Sequence, residues 1–312
     1  MNTEHFPAAH FIKEIGRGRK GARALSREDA RALYAAMLDG RVGDLELGAI
    51  VLALRIKGES VDELAGFLAA AEASFAPLPL PPGPFAPVLI PSYNGSRKLP
   101  NLTPLLALLL ARAGAPVLVH GVRRDPGRVA TAEIFAELGV TAGDAADASE
   151  AWAHGKPAFI PIDVLAPRLA RLLALRERLG VRNSTHTLVK ILQPFDGPAL
   201  RLVSYTHPEY LESLGALFLL PEQARRGDAF LMRGTEGETV ANANRGQQVD
   251  WFHGGERTVL IERDPPADAV LALPDTDPAA TAAWIGAVLR GEVPVPQPIQ
   301  EQVEQVLTAC RR

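Results

Sequence analysis

Asn101-Leu102-Thr103, then Val119-His120-Gly121-Val122-Arg123, then Arg128 and Glu133, and finally Leu138-Gly139-Val140 mark the stretch that decides the fold. Leu102 to Ala113 is apolar enough for a buried helix, Pro116 to His120 has the pattern of a buried strand, and Val129 to Leu138 returns to helical spacing. Pro87 to Ile90 reads as a strand ahead of them. Short apolar runs alternating with amphipathic helices predict an α/β domain with a largely parallel sheet.

Working outward, further strands are expected at Ala158-Phe159-Ile160-Pro161, Leu200 to Ser204, Asp228 to Met232, and Ala269 to Ala272. The tail from Pro278 to Arg312 reads as two helices separated by Pro294-Val295-Pro296. Towards the N-terminus the pattern is helical over residues 8–75. Ser26-Arg27-Glu28-Asp29 has the form of an N-cap with acidic first-turn residues, Lys57-Gly58 ends a second helix, and Ser60 caps a third. Prolines recur from Pro77 to Pro87 so densely that neither helix nor central strand fits. Two domains are therefore expected: a small helical one over residues 1–77 and a large α/β one over 78–312.

At 312 residues the chain is long enough for that arrangement, and its formal net charge of -3 gives no global attraction to nucleic acid. The single cysteine, Cys310, provides no disulfide framework within one chain and fits a reducing compartment. The N-terminal residues lack a signal-peptide pattern. The longest greasy run, Leu102 to Ala111, falls short of the roughly 20 residues that a bilayer crossing requires. A cytoplasmic protein without a membrane partner is expected.

The ordered motifs resemble the anthranilate phosphoribosyltransferase family (glycosyltransferase family 3), from about residue 10 onward. The resemblance implies a fold of the nucleoside phosphorylase–phosphoribosyltransferase type, with a homodimer formed through the helical domains. It also implies a phosphate-binding set at Asn94, Gly95, Asn101, Thr103, His120, Gly121 and Arg128. Where the family carries Gly-Thr-Gly-Gly-Asp, this sequence has Ser92-Tyr93-Asn94-Gly95-Ser96. The diglycine that lets backbone N–H groups reach a pyrophosphate is missing, and Tyr93 brings in a large ring. The family's Lys-His-Gly-Asn-Arg becomes Val119-His120-Gly121-Val122-Arg123, and its anthranilate-contacting arginine becomes His186. Its magnesium-holding Asp-Glu pair corresponds to Glu236 and Glu238, which Gly237 separates. This combination is similar to the YbiB-type branch of the family, which binds nucleic acids without sequence preference. No cofactor is expected, and magnesium only if a phosphoribosyl ligand still binds.

Several of these residues have an equally good bland reading. Asn101 fits a helix cap as well as an anion site, and His120 fits a packed strand-end histidine. Tyr93 fits core packing as well as base stacking, and Glu236 and Glu238 fit loop carboxylates better than metal ligands. His253-Gly254-Gly255 reads better as a tight turn than as a phosphate loop.

Charge is clustered despite the small net value. Lys13, Arg17, Arg19, Lys20 and Arg23 are opposed only by Glu14. Arg97 and Lys98 lie in the altered loop, and Arg123, Arg124 and Arg128 follow the second strand. Arg168, Arg171, Arg176, Arg178, Arg182 and Lys190 form a block whose sole acid is Glu177, while acidic residues collect at 133–150, 236–238, 262–277 and 301–304. On a helix Arg168, Arg171 and Arg178 share one face, which suits a phosphate backbone. The leading expectation is sequence-independent, salt-sensitive binding of DNA or RNA through Arg168, Arg171, Arg176, Arg178, Arg182, Lys190, Arg97, Lys98 and Arg123, with no catalytic residues. The alternative is a glycosyl- or phosphoribosyltransferase acting on an unknown acceptor, with His120, Arg123, Arg128 and Glu238 at the sugar phosphate.

Overall fold

A computed structural model describes residues 4–18, 20–263, 265 and 271–311. In chain order the helical part opens with α1 (Ala9–Ile15), α2 (Arg27–Leu38), α3 (Asp44–Lys57) and α4 (Val61–Glu72). There follow β1 (Val88–Ser92), α5 (Thr103–Arg112), β2 (Val117–Gly121), α6 (Thr131–Glu137), α7 (Ala145–Ala153), β3 (Ala158–Pro161) and α8 (Ile162–Leu165). Next come α9 (Pro167–Leu179), α10 (Thr185–Leu188), β4 (Leu200–Tyr205), α11 (Glu209–Phe218), α12 (Pro221–Ala224) and β5 (Ala229–Arg233). The chain finishes with β6 (Val249–His253), β7 (Glu256–Ile261), α13 (Pro278–Arg290) and α14 (Gln297–Cys310).

Two compact units result: Met1–Pro77 with Ala166–Pro194, and Leu78–Leu165 with Phe195–Arg312. The break at residue 77 falls in the proline-rich joint. Residues 166–194 re-enter the helical unit, a return that a linear reading of the sequence does not include.

In the helical unit, caps written in the sequence set the helix starts. Ser26 Oγ accepts the Asp29 N–H, and Ser60 and Glu63 form a reciprocal capping box. Leu33, Tyr34, Leu64, Phe67 and Leu68 are fully buried. The Tyr34 hydroxyl shares a hydrogen bond with Thr185 Oγ1 at 2.8 Å, and Ser184 Oγ donates to Glu59. Gln193 N–H donates to Glu72 Oε1 at 2.9 Å, so polar contacts as well as packing tie the re-entrant segment down.

The α/β unit is built on a seven-stranded sheet, among the described residues, in the order β3-β2-β1-β4-β5-β6-β7. Pairing is parallel from β3 to β5 and antiparallel at β5–β6 and β6–β7. The period of two along β1 and β2 divides their side chains between two cores. Val88, Ile90, Val117 and Val119 join Leu105, Leu106, Leu110 and Phe135, while Leu89 and Leu118 join Ile160 and Phe195. Both sheet faces are therefore covered, which is why these strands read as unbroken apolar runs.

The antiparallel edge was not foreseen. The β6–β7 hairpin turns at Gly254 (φ 59°) and Gly255 (φ 85°), the two positive-φ residues that such a turn requires. Of the strand expected at Ala269 to Ala272, Leu271 and Ala272 are in no strand, and Ala269 and Val270 lie outside the described residues. The two expected tail helices are α13 and α14. Among the described residues, no helix is long and apolar enough to cross a membrane.

Candidate functional site

The sequence-predicted residues divide between the two units. In the α/β unit the 92–98 loop leaves the C-terminal end of central strand β1, where open parallel sheets usually offer ligand sites. Gly95 takes φ +63°, and a Cβ there would lie 2.7 Å from Val129 O, so the glycine is required by both conformation and space. Ser96 pairs with Val129 through two backbone hydrogen bonds of 3.0 and 2.8 Å. Asn101 is buried at the head of α5. Its Oδ1 accepts the Thr103 N–H at 3.1 Å, and its Nδ2 donates to Thr131 Oγ1 at 3.0 Å. The side chain of Asn101 is thus spent on a helix head and on a tie to α6.

His120 ends up inside the sheet. It is fully buried, its Nδ1 shares a hydrogen bond with the Tyr93 hydroxyl at 2.7 Å, and burial lowers its pKa to about 3. A neutral imidazole has no charge to offer a phosphate. Tyr93 is buried with it, and burial raises the phenol pKa well above its ordinary value, so Tyr93 is core rather than a stacking platform. Gly121 closes β2 beside Ser92 of β1.

The most informative contacts come from the turn after β5. Thr235 and Glu238 exchange both backbone hydrogen bonds at 3.0 Å, with Glu236 (φ 52°) and Gly237 (φ 97°) between them. This turn faces the loop. Glu238 Oε1 accepts the N–H groups of Asn94 (2.9 Å) and Gly95 (2.7 Å), and Glu236 accepts those of Arg97 and Lys98. Asn94 Nδ2 and Ser204 Oγ both donate to Gly237 O at 2.7 Å. Arg128 lies alongside, donating to Gly95 O and Glu236 O at 3.3 and 3.2 Å. Charge-assisted hydrogen bonds contribute about 1.5–3 kcal/mol each, so two carboxylates hold this backbone firmly. The side chains of Arg97 and Lys98 are exposed. Arg123 is also exposed, with Nε 3.2 Å from Asp163 Oδ2. A surface pair of this kind contributes about 0–1 kcal/mol, which leaves Arg123 available to a stronger anion.

In the helical unit the basic block divides. Arg168 pairs with Asp39 at 2.5 Å, Arg171 donates to Leu38 O, and Arg178 lies 3.9 Å from Asp44. The three arginines that share a face of α9 thus meet the C-terminal end of α2 and the first residue of α3. Acids distant in sequence, Asp39 and Asp44, supply the opposition that the local block lacks.

The remaining cations gather elsewhere. Gly180 ends α9 in the left-handed conformation, the chain reverses through Arg182, and α10 places His186 next to it. The His186 pKa is lowered to about 4, first by burial, then by the charges of Arg182, Arg176 and Lys190, against a hydrogen bond from the Asn183 backbone. Three cations therefore act on one half-buried imidazole. In the N-terminal cluster Glu14 takes up Arg17 at 2.7 Å and Arg23 at 3.8 Å; Arg19 lies outside the described residues.

Residues 9–74 match the helical bundle domain of a glycosyl transferase family. Over 301 residues, 96% of this chain and 93% of the relative, the sequence is 45% identical to the uncharacterized protein YbiB of Escherichia coli (strain K12). The chain belongs to the YbiB family. YbiB relatedness extends more distantly to the anthranilate phosphoribosyltransferase of Novosphingobium aromaticivorans, 28% identical over 86% of this chain and 81% of that protein. Among solved structures, the anthranilate phosphoribosyltransferase of Thermus thermophilus aligns with a TM-score of 0.70 at 20% identity, covering 96% of this chain and 87% of that one. The Saccharomyces cerevisiae enzyme in complex with PRPP and Mg aligns with a TM-score of 0.69 at 12% identity, covering 99% and 95%. At such identities the likeness establishes the fold.

The residues of this YbiB-family member do not fit the PRPP and Mg of that yeast complex. The loop N–H groups that a pyrophosphate needs are held by Glu236 and Glu238. Those same two carboxylates, the expected metal pair, are turned towards backbone donors. Among the described residues, no group of three or more His, Cys, Asp or Glu side chains could hold a metal ion.

Proposed function

We propose that this protein binds nucleic acid, DNA or RNA, without sequence preference, and that the anthranilate transfer of its distant relatives is lost. The observation that carries this reading is the cationic end of α9 and the bend after it, where Arg176 is exposed on the last turn, half-buried Arg182 lies in the bend and half-buried Lys190 follows α10. A phosphate backbone presents such cations with a regular row of anions and releases its condensed counterions on binding. Arg168, Arg171 and Arg178 extend the contact along α9, and the α/β unit has exposed cations of its own in Arg97, Lys98 and Arg123. Loss of transfer rests on the loop, whose backbone donors are already satisfied. We include a homodimer in the proposal: Leu45, Leu52 and Ile56 on α3 are 89%, 48% and 59% exposed at helical spacing, an apolar face that suits a second copy. A solution mass of twice 33.4 kDa by light scattering is expected, and a monomer at micromolar concentration would remove the dimer from the proposal.

The decisive experiment is fluorescence anisotropy of a labelled oligonucleotide at rising salt. With six or more phosphates contacted, affinity should fall by roughly 1,000-fold or more between 50 and 200 mM. Absence of binding at low salt, or binding indifferent to salt, overturns the reading.

A further inference from the structure

At the end of the sheet where β2 and β3 begin, away from the loop that leaves β1, the α/β unit holds an apolar cavity of about 280 Å³. One wall is Pro79 to Pro82 of the proline-rich joint. A second is Gly114 to Pro116, in the turn between α5 and β2, and a third is the face of α7 that carries Trp152 and Ala153.

Contacts outside the cavity hold these walls in place. Leu80 N–H donates to Asp196 Oδ1 at 3.1 Å, and the Leu80 side chain packs so tightly on Gly197 that a Cβ there would lie 2.3 Å from Leu80 Cδ1. The Trp152 indole N–H donates to Val117 O at 2.9 Å, and its ring packs against Phe195 with centroids 5.7 Å apart. The prolines have no freedom in φ. The cavity is therefore preformed, as small-molecule sites usually are, and an apolar hollow of this kind accepts an apolar guest.

The lining leaves one polar group unspent. Ser149 Oγ donates to Ala145 O at 3.0 Å, and the Trp152 N–H is already taken. Lys156 is exposed at the rim, and among the described residues its ammonium has no acidic partner. A guest thus meets walls that are aliphatic apart from Trp152, and a single cation. Phosphate esters and nucleotides need many donors and find one. The volume falls just below the roughly 300–1,000 Å³ of ordinary ligand pockets, so the guest is small.

We propose that this cavity binds a medium-chain acyl carboxylate, with the chain against Trp152 and the joint and the carboxylate paired with Lys156. The inference is independent of nucleic-acid binding through the helical unit.

The test is NMR of the indole N–H signals of the full-length protein, titrated with butanoate, hexanoate and octanoate. The chain has three tryptophans, and Trp152→Phe identifies the signal at the cavity by its loss. Saturable movement confined to the Trp152 signal is expected, with affinity rising about fourfold per added methylene, the gain that burying one CH₂ brings. Octanol, which lacks the charge, should bind at least tenfold more weakly than octanoate. Lys156→Gln should erase that preference and leave octanol affinity unchanged. Ala153→Phe, at an exposed lining position, should abolish binding of both. A Trp152 signal that stays in place at millimolar octanoate overturns the proposal, as does equal movement of all three signals or affinity indifferent to chain length. Equal affinity for octanol and octanoate in the wild type removes Lys156 from the site and overturns the anionic guest.

Discussion

The bend around His186 and the loop from Asn94 to Lys98 both gather groups that attract anions, by opposite means. Around His186 the attraction comes from side chains: burial first, and then the charges of Arg182, Arg176 and Lys190, oppose a proton on the ring. In the loop it comes from backbone dipoles, and those are already matched by two carboxylates of the same chain. The difference teaches that concentrating donors does not by itself create an available site. Surface cations paired with Asp39 or Asp44 exchange partners at little cost, because solvent screens such pairs. A buried Glu238 resting on two N–H groups exchanges only when something better replaces it.

The largest effect that tests this contrast is the combined replacement Arg176→Ala, Arg182→Ala and Lys190→Ala. If each cation neutralises one phosphate, oligonucleotide affinity at 0.1 M salt should fall by about 100-fold or more, and the slope of log affinity against log salt should shrink by about 2.7. Anisotropy measures both. An unchanged slope would return the functional weight to Arg97, Lys98 and Arg123.

A smaller effect comes from acid. His186 and His120 have folded pKa values of about 4 and about 3, both below the ordinary 6.5. Between those values and 6.5 the unfolded chain binds more protons than the folded one. Stability is therefore complete above 6.5 and is lost as pH falls, by about 1.4 kcal/mol per pH unit for each histidine. Urea midpoints at pH 7, 6 and 5 should show the decline, with a shallower slope in His120→Asn. Bound oligonucleotide should move the His186 value upward and leave that of His120 in place, as read from imidazole NMR signals. A His186 that titrates near 6.5 without ligand would mean that neither burial nor the three cations act on the ring.

Much of the fold was legible because local physics wrote it. Ser26 and Ser60 announced their helices, apolar runs without alternation marked strands covered on both faces, and the prolines after Pro77 marked the joint. The β6–β7 strands were not legible. Exposed Glu256, Arg257 and Thr258 break the apolar pattern at the sheet edge, although Gly254-Gly255 was correctly read as a turn. The site was half legible. The family resemblance pointed to Asn101, His120, Gly121 and Arg128, and the structure gathers them around the loop that follows β1. What sequence spacing could not reveal was that Glu236 and Glu238, far along the chain, complete the loop. The same holds for the arginine face of α9, whose partners Asp39 and Asp44 come from helices about 130 residues earlier.

The return of residues 166–194 to the helical unit sets an order of assembly. A growing chain that has released only α1 to α4 still lacks the segment that places Thr185 on Tyr34 and Gln193 on Glu72. Strand β1 likewise waits for β4, which starts at Leu200. The helical unit therefore stays unfinished until Pro194 and the α/β unit until α14, which contributes Ile299 and Val306 to its core, so neither is expected to mature as an early, self-sufficient intermediate.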